Sequence, residues 1–174
     1  MTLSGGVKHL MDKQTFVALI DEKSRALYRV ARAILRNEDD CNDALQESVM
    51  KAWASRHKLR DECYFATWMT RIVINECRAI QRKKSKYHLE ADVAMGAGEF
   101  DDPMRNLDLH RAMDNLPEKL RLPLVLHYIE GYSLKEVSTM LHLPVTTIRN
   151  RLYAARQELR LDLEDEREAQ AYEA

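Results

Sequence analysis

The chain has 174 residues, 32% of them charged, with only five glycines and four prolines. That balance excludes collagenous and low-complexity classes and favours a helical protein of one domain or two small ones. Its 27 basic and 28 acidic side chains leave a net charge of −1, low for a nucleic-acid binder, whose phosphate contacts normally come with a basic surplus.

No apolar run approaches the roughly 20 residues of a membrane span. Met1 to Leu10 has no apolar core and no signal-peptide character, so a cytoplasmic protein is expected. Residues 12–36 read as helix, because Leu27, Val30, Ala31, Ile34 and Leu35 repeat at the spacing of one buried face. Asn37 to Asp40 is a polar break able to cap a second helix. Cys41, Ala44, Leu45, Ser48, Val49, Ala52 and Trp53 then form a second stripe in which only Ser48 is polar. Arg56 to Tyr64 is mixed and reads as a loop. A third stripe runs through Phe65, Trp68, Met69, Ile72, Val73, Cys77 and Ile80 and ends in the basic run Arg82 to Lys86.

Residues 87–106 lose the periodicity. Ala91 to Pro103 has small residues, two glycines, a proline and acidic charge, the composition of a flexible linker. Periodicity returns near Leu107. Leu116-Pro117 closes one short helix and opens another, with Pro117 at a first helical position. Leu120, Leu124, Tyr128 and Ile129 supply its apolar side. Gly131 suits a helix C′ position. Ser133 and Glu136 have the spacing of a capping box. Pro144, with Thr146 and Thr147 behind it, opens a last helix whose inner stripe is Ile148, Leu152, Ala155 and Leu159. The turn before it carries His142, where glycine would more easily adopt a positive φ. The fold class expected is all-α: two small helical domains, 12–86 and 107–165, joined by a flexible linker at 87–106. The second is a four-helix domain with a helix-turn-helix.

The three cysteines, Cys41, Cys63 and Cys77, are odd in number and widely spaced, unlike a disulfide framework or a metal motif. Cys41 and Cys77 fall on apolar stripes and read as buried thiols. A metal site with His57 or His88 lacks supporting spacing, and no cofactor is expected.

Charge is segregated. Between residues 56 and 88, Arg56, Lys58, Arg60, Arg71, Arg78, Arg82, Lys83, Lys84 and Lys86 face only Asp61, Glu62 and Glu76. Residues 38–47 hold Glu38, Asp39, Asp40, Asp43 and Glu47 with no lysine or arginine. One surface suits nucleic acid and another something else. The capped helix, tight turn and basic helix that bears Thr147, Arg149, Asn150, Arg151, Tyr153 and Arg156 occur together. That combination favours a helix laid in the DNA major groove over a merely solvated basic face. In the third stripe, Arg71, Asn75, Arg78 and Arg82 lie beside Phe65 and Trp68. The spacing fits a single-strand-binding face and ordinary core packing equally. The polar helical face at Asp43, Gln46 and Glu47 reads by physics alone as solvated surface.

The series Asp43-Ala-Leu-Gln-Glu-Ser-Val-Met-Lys-Ala-Trp53, then Phe65-Ala-Thr-Trp-Met-Thr-Arg-Ile72 with Asn75, then Leu116-Pro, Gly131-Tyr-Ser-Leu-Lys-Glu136 and Ile148-Arg-Asn-Arg-Leu152 resembles bacterial RNA polymerase sigma factors of the extracytoplasmic-function, or group IV, branch. The likeness spans roughly residues 12–162, with several motifs in the right order. It implies sigma region 2 at 12–86 and region 4 at 107–165. It further implies an alternative sigma factor, not an enzyme, that binds core RNA polymerase through the β and β′ subunits, recognises promoter −10 and −35 elements and helps melt the DNA. Asp43, Gln46 and Glu47 would dock on β′. The loop around Arg60, with Phe65 and Asn75, would hold −10 bases, beside Trp68 and Arg71. Arg78, Arg82, Lys83 and Lys84 would hold phosphates. Thr147, Arg149, Asn150 and Tyr153 would read the −35 element, with Arg151 and Arg156 at phosphate or structural positions. Control by an anti-sigma factor, often membrane-anchored in this family, is a further implication. Ala79, Thr146 and Ala154 depart from residues common in the family, which bears on promoter sequence. The rival reading is a free-standing helix-turn-helix regulator that binds a palindromic operator as a dimer.

Overall fold

A computed structural model of the chain describes residues 11–87 and 107–173, all of whose regular elements are helices. The expected linker lies outside the described residues. Helix α1 (Lys13–Leu35) starts where the Asp12 carboxylate accepts from the Thr15 amide at 3.0 Å and the Thr15 hydroxyl at 2.8 Å. Arg36 ends it in the left-handed conformation at φ 60°. Asn37 caps α2 (Glu38–Ser55) by accepting from the Asp40 amide at 2.9 Å. Glu38, Asp39 and Asp40 then occupy the positive end of the helix dipole. Two 3₁₀ turns, Arg56–Lys58 and Glu62–Tyr64, stand where the sequence suggests a plain loop. Helix α3 (Phe65–Tyr87) continues from the second turn without a break.

Helices α1, α2 and α3 pack pairwise. Their apolar stripes bury Leu27, Val30, Ala31, Ile34, Cys41, Ala44, Ala52, Met69, Val73, Ile74 and Cys77. Ser48, the polar residue in the second stripe, is fully buried because its hydroxyl donates to the Ala44 carbonyl at 2.6 Å. Burial pushes the Cys41 thiol up to about 11 and the Cys77 thiol up to about 12.

The second half consists of α4 (Leu107–Asn115), α5 (Glu118–Leu124), a π-helical turn (Val125–Ile129), α6 (Leu134–Leu141) and α7 (Val145–Glu173). Pro117 is the N-cap of α5, one position before the first helical residue expected for it. Gly131, at φ 75°, takes the left-handed conformation. Helices α4, α5 and α6 all pack on α7.

The two halves pack against each other. Helix α5 and the π-turn pack on α1, and α6 packs on α3, so buried residues of both halves form one apolar cluster. The seam is also heavily hydrogen-bonded. Arg121, 4% exposed, donates through Nε to the Ala33 carbonyl at 2.9 Å. Its Nη1 donates to the carbonyls of Asp114 at 3.2 Å and Leu116 at 2.8 Å. Arg36 reaches the same two carbonyls from α1's side. Gln81 donates to the Ile34 carbonyl at 3.3 Å and to Glu118 at 2.7 Å. Arg29 grips Glu130 with two bonds of 2.7 and 3.2 Å. The Thr70 and Tyr132 hydroxyls meet at 2.9 Å. The described residues thus form the two helical domains expected, packed against each other along this seam.

Arg121→Met should leave the Ala33 carbonyl without a donor, since Arg36 still reaches those of Asp114 and Leu116, and should destabilise the chain by roughly 1–3 kcal/mol, measured by urea unfolding. It should also enlarge the radius of gyration in small-angle scattering. Arg121→Lys should not restore either property, since an ammonium lacks the planar fork. Unchanged stability and size in Arg121→Met would refute the role assigned to this side chain.

Candidate nucleic-acid interface

Three polar faces point away from the apolar cluster, each on a different long helix. On α2, Asp43 and Gln46 are exposed. Glu47 is half-buried and pairs with Lys51 at 3.3 Å, whose ammonium also holds Glu76 of α3 at 2.6 Å. Those carboxylates, Glu76 foremost, raise the Lys51 pKa. Glu47 is thus tied into a surface network, while Asp43 and Gln46 are not in it. Met50 completes the outward stripe at i+7 from Asp43, and its side chain is 60% exposed. Sequence reasoning passes over Met50 because methionine reads as core. The available signal was its position off the Cys41, Ala44, Ser48, Ala52 stripe.

On α3, Trp68, Arg71, Asn75, Arg78 and Arg82 stand at i, i+3, i+7, i+10 and i+14 and share one face. Asn75 and Arg82 are exposed, and Trp68, Arg71 and Arg78 are half-buried. Phe65 does not join them. It is 1% exposed, with its ring edge-on to Phe16 at 5.9 Å and tilted against Trp68 at 6.1 Å. The base contact expected of Phe65 is therefore not available to it, because stacking a base on that ring would mean taking it out of the core. Trp53 packs edge-on to Phe16 at 5.2 Å, and the Arg56 guanidinium lies 3.8 Å above the Trp53 ring. Of the basic run, Lys83 is exposed and Lys84 is ion-paired with Asp40 of α2. Arg60 is exposed between the two 3₁₀ turns. Beside it, Asp61 caps the second turn through the Cys63 amide at 2.9 Å. That bond lowers the Asp61 pKa, and the neighbouring carboxylate raises that of the exposed Cys63 thiol.

The third face is built by α6 and α7. Ser133 and Glu136 form the full capping box, and the two bonds to Ser133 lower the Glu136 pKa. Val137, Met140 and Leu141 bury against Ile148, Leu152 and Ala155. The turn between the helices carries His142 at φ 55°, ψ 44°. This is the left-handed position at which glycine would be the easier residue. The Leu143 amide donates to the Ser138 carbonyl at 3.1 Å, and the Ser138 hydroxyl donates to the Leu143 carbonyl. With the turn fixed, α7 exposes Arg149, Asn150, Tyr153 and Arg156, while Thr147 and Arg151 are half-buried. Arg149, Tyr153 and Arg156 fall at i, i+4 and i+7 on one outward stripe. Tyr128, expected on the apolar side of its helix, is instead 51% exposed. Its hydroxyl accepts from Arg156 Nη1 at 2.9 Å.

Residues 19–87 match the family model for sigma-70 region 2, and residues 106–159 match that for sigma-70 region 4. The ECF RNA polymerase sigma-E factor of Haemophilus influenzae is 31% identical over 165 residues, covering 84% of this chain and 86% of its own. The RNA polymerase sigma factor SigV of Bacillus subtilis is 28% identical over 159 residues, with 88% of this chain and 94% of its own covered. Among solved structures, the sigma factor RpoE in complex with the anti-sigma factor NepR from Bartonella quintana superposes with a TM-score of 0.78 at 21% identity, over 87% of this chain and 98% of that one. The structure of CnrH in complex with the cytosolic domain of CnrY gives 0.63 at 22% identity, over 88% and 90%.

The cysteines offer a direct check on this arrangement. A disulfide-exchange reagent at pH 8 should label Cys63 alone in the native chain, and all three thiols in denaturant. Because the Asp61 contact raises the Cys63 pKa, its rate should keep climbing above the pH at which an unperturbed exposed thiol levels off. Rapid native labelling of a second thiol would contradict the buried placement of Cys41 and Cys77.

Proposed function

The chain belongs to the extracytoplasmic-function family of RNA polymerase sigma factors, and from that premise we propose how its three faces divide the work. It is an alternative sigma factor, which directs RNA polymerase to specific promoters and initiates transcription there. Residues 12–86 act as region 2 and residues 107–165 as region 4. The observation that carries this division is the separation of two basic outward faces, on α3 and on α7, one in each half.

The α2 stripe of Asp43, Gln46 and Met50 is the docking surface for the polymerase β′ subunit, with the tethered Glu47 at its edge. It combines polar groups with one exposed apolar side chain, as a partner-binding face does. The α3 face, with Arg60 on the preceding loop, takes the −10 strand: Asn75 holds a displaced base, Trp68 offers a ring surface and Arg71, Arg78, Arg82 and Lys83 face phosphates. Helix α7 enters the major groove at the −35 element, where Arg149, Asn150 and Tyr153 meet base edges. The protein works in the cytoplasm and has no catalytic chemistry of its own; polymerase joins the nucleotides. The structural neighbours RpoE and CnrH were each solved with a partner, NepR an anti-sigma factor and CnrY through its cytosolic domain. An anti-sigma factor is the corresponding partner for this chain. A free-standing regulator fits less well, because it would have no use for the α2 and α3 faces.

Asp43→Lys with Gln46→Ala should weaken binding to core polymerase by about tenfold, ~1.4 kcal/mol, at unchanged circular dichroism. Unaltered affinity would remove α2 as the docking face. The two DNA faces should separate cleanly. Arg149→Ala should lose −35 discrimination by roughly 1–3 kcal/mol. Asn75→Ala should impair opening of the −10 region, seen as reduced permanganate reactivity, and a pre-melted −10 bubble should partly rescue it. Identical −35 defects in both variants, with normal melting, would overturn the assignment.

A further inference from the structure

The hydrogen bond between Arg156 and Tyr128 links two surface residues that helical spacing keeps apart. From Leu120 and Leu124, a regular helix would bring Tyr128 to the same buried side at i+8. The π-turn at Val125–Ile129 comes just after Pro123, which has no amide hydrogen to donate. A π-turn bonds i to i+5 in place of i+4 and so winds more slowly than an α-helix, and residues within it, Tyr128 among them, leave the α-helical face. This accounts for an aromatic at an apolar spacing standing half in solvent.

The Tyr128 ring is held in place on that surface. The His127 ring lies against it, with centroids 4.9 Å apart, and His127 Nδ1 is itself bonded to the Tyr132 carbonyl at 2.7 Å. The Tyr128 hydroxyl then accepts from Arg156 at 2.9 Å. An accepting phenol keeps its own O–H free to donate, and Arg156 keeps its other N–H groups. Both sets of donors stand beside the stripe of Arg149 and Tyr153. A side chain as free as an exposed arginine loses rotamer entropy when it grips a phosphate. One already tethered loses less. The difference matters in a chain of net charge −1, which has few surplus cations for the DNA backbone.

We propose that Tyr128 is a positioning residue for −35 DNA: it holds Arg156 toward the phosphate backbone that flanks the bases met by Arg149. The proposal rests on the reading of α7 as the −35 helix, and the test keeps the two apart. Holoenzyme carrying Tyr128→Phe, Arg156→Ala or both is titrated with promoter DNA at several salt concentrations, with Arg149→Ala alongside. Tyr128→Phe should weaken binding about two- to tenfold. It should also shrink the slope of log affinity against log salt, by up to about 0.9, the value of one lost phosphate contact. The double variant should be no weaker than Arg156→Ala, because the phenol acts through the guanidinium. Discrimination between −35 sequences should stay as in the unaltered protein, whereas Arg149→Ala changes it.

Additive losses, or a weaker Tyr128→Phe holoenzyme with an unchanged salt slope, would overturn the positioning role. So would a lowered melting temperature in Tyr128→Phe at unchanged promoter affinity, which would leave the bond structural only. If Arg149→Ala and Arg156→Ala also left −35 binding untouched, α7 would not be the reading helix, and both readings would fall together.

Discussion

The end of helix α1 sets a requirement that the rest of the molecule meets. A helix leaves its last four carbonyls without intrahelical donors, and burial makes each one costly. In α1 all four are answered, each from a different direction. The Arg36 amide takes Arg32, the Arg121 guanidinium takes Ala33, Gln81 takes Ile34 and the Asn37 amide takes Leu35. Two of those donors are local, one comes from α3 and one from the C-terminal half. Burial pulls Arg121 down to about 10, with the Arg36 charge adding to the effect, so it remains cationic at neutral pH. Its charge is spread over a planar fork, and three carbonyls lie along the fork's directions. An arginine suits this place where a lysine would not.

The same seam explains how a nearly neutral protein can present basic faces. Acidic side chains are engaged inside the architecture: Glu130 on Arg29, Asp40 on Lys84, Glu76 on Lys51, Glu118 on Gln81 and Glu136 on the α6 cap. What remains outward is predominantly basic on α3, with Arg82, Lys83 and Lys86, and on the first turns of α7, with Arg149 and Arg156. Net charge sums over groups that are mutually neutralised and groups that are not, so it understates the field near either face.

Helical spacing made the elements legible. The apolar stripes of α1, α2, α3 and α7 stand where the periodicity puts them, Asn37 and Ser133 cap, and His142 takes the left-handed turn despite its side chain. Candidate site residues were legible as exposed positions off those stripes, Asn75 and Arg149 among them. Three features were not. Phe65 sits at the start of α3, where spacing serves a core ring and a stacking ring equally, and only the positions of Phe16 and Trp68 decide between them. Tyr128 escapes because the π-turn breaks the 3.6-residue count on which such readings depend. Arg121 lies in the run Leu120-Arg-Leu-Pro-Leu124 and reads as a solvated charge. Its partners are carbonyls, which every residue carries and no sequence pattern marks.

The hydrogen-bonded seam also fixes how far apart the two DNA faces can be. A packed chain of this length has a radius of gyration of about 16 Å. Promoter elements named for positions −10 and −35 lie about 25 base pairs apart, about 85 Å along the duplex. On the assignment of faces proposed above, the packed arrangement is too short to meet both elements at once, and doing so would require the bonds Arg121–Ala33, Gln81–Glu118 and Arg29–Glu130 across the seam to part. Apparent promoter affinity would then be the intrinsic affinity scaled by the population of the conformer so opened. Any ligand that binds one arrangement better than the other would shift this population by its differential affinity alone, raising or lowering the occupancy of all promoters together and leaving their ranking to the DNA-facing side chains.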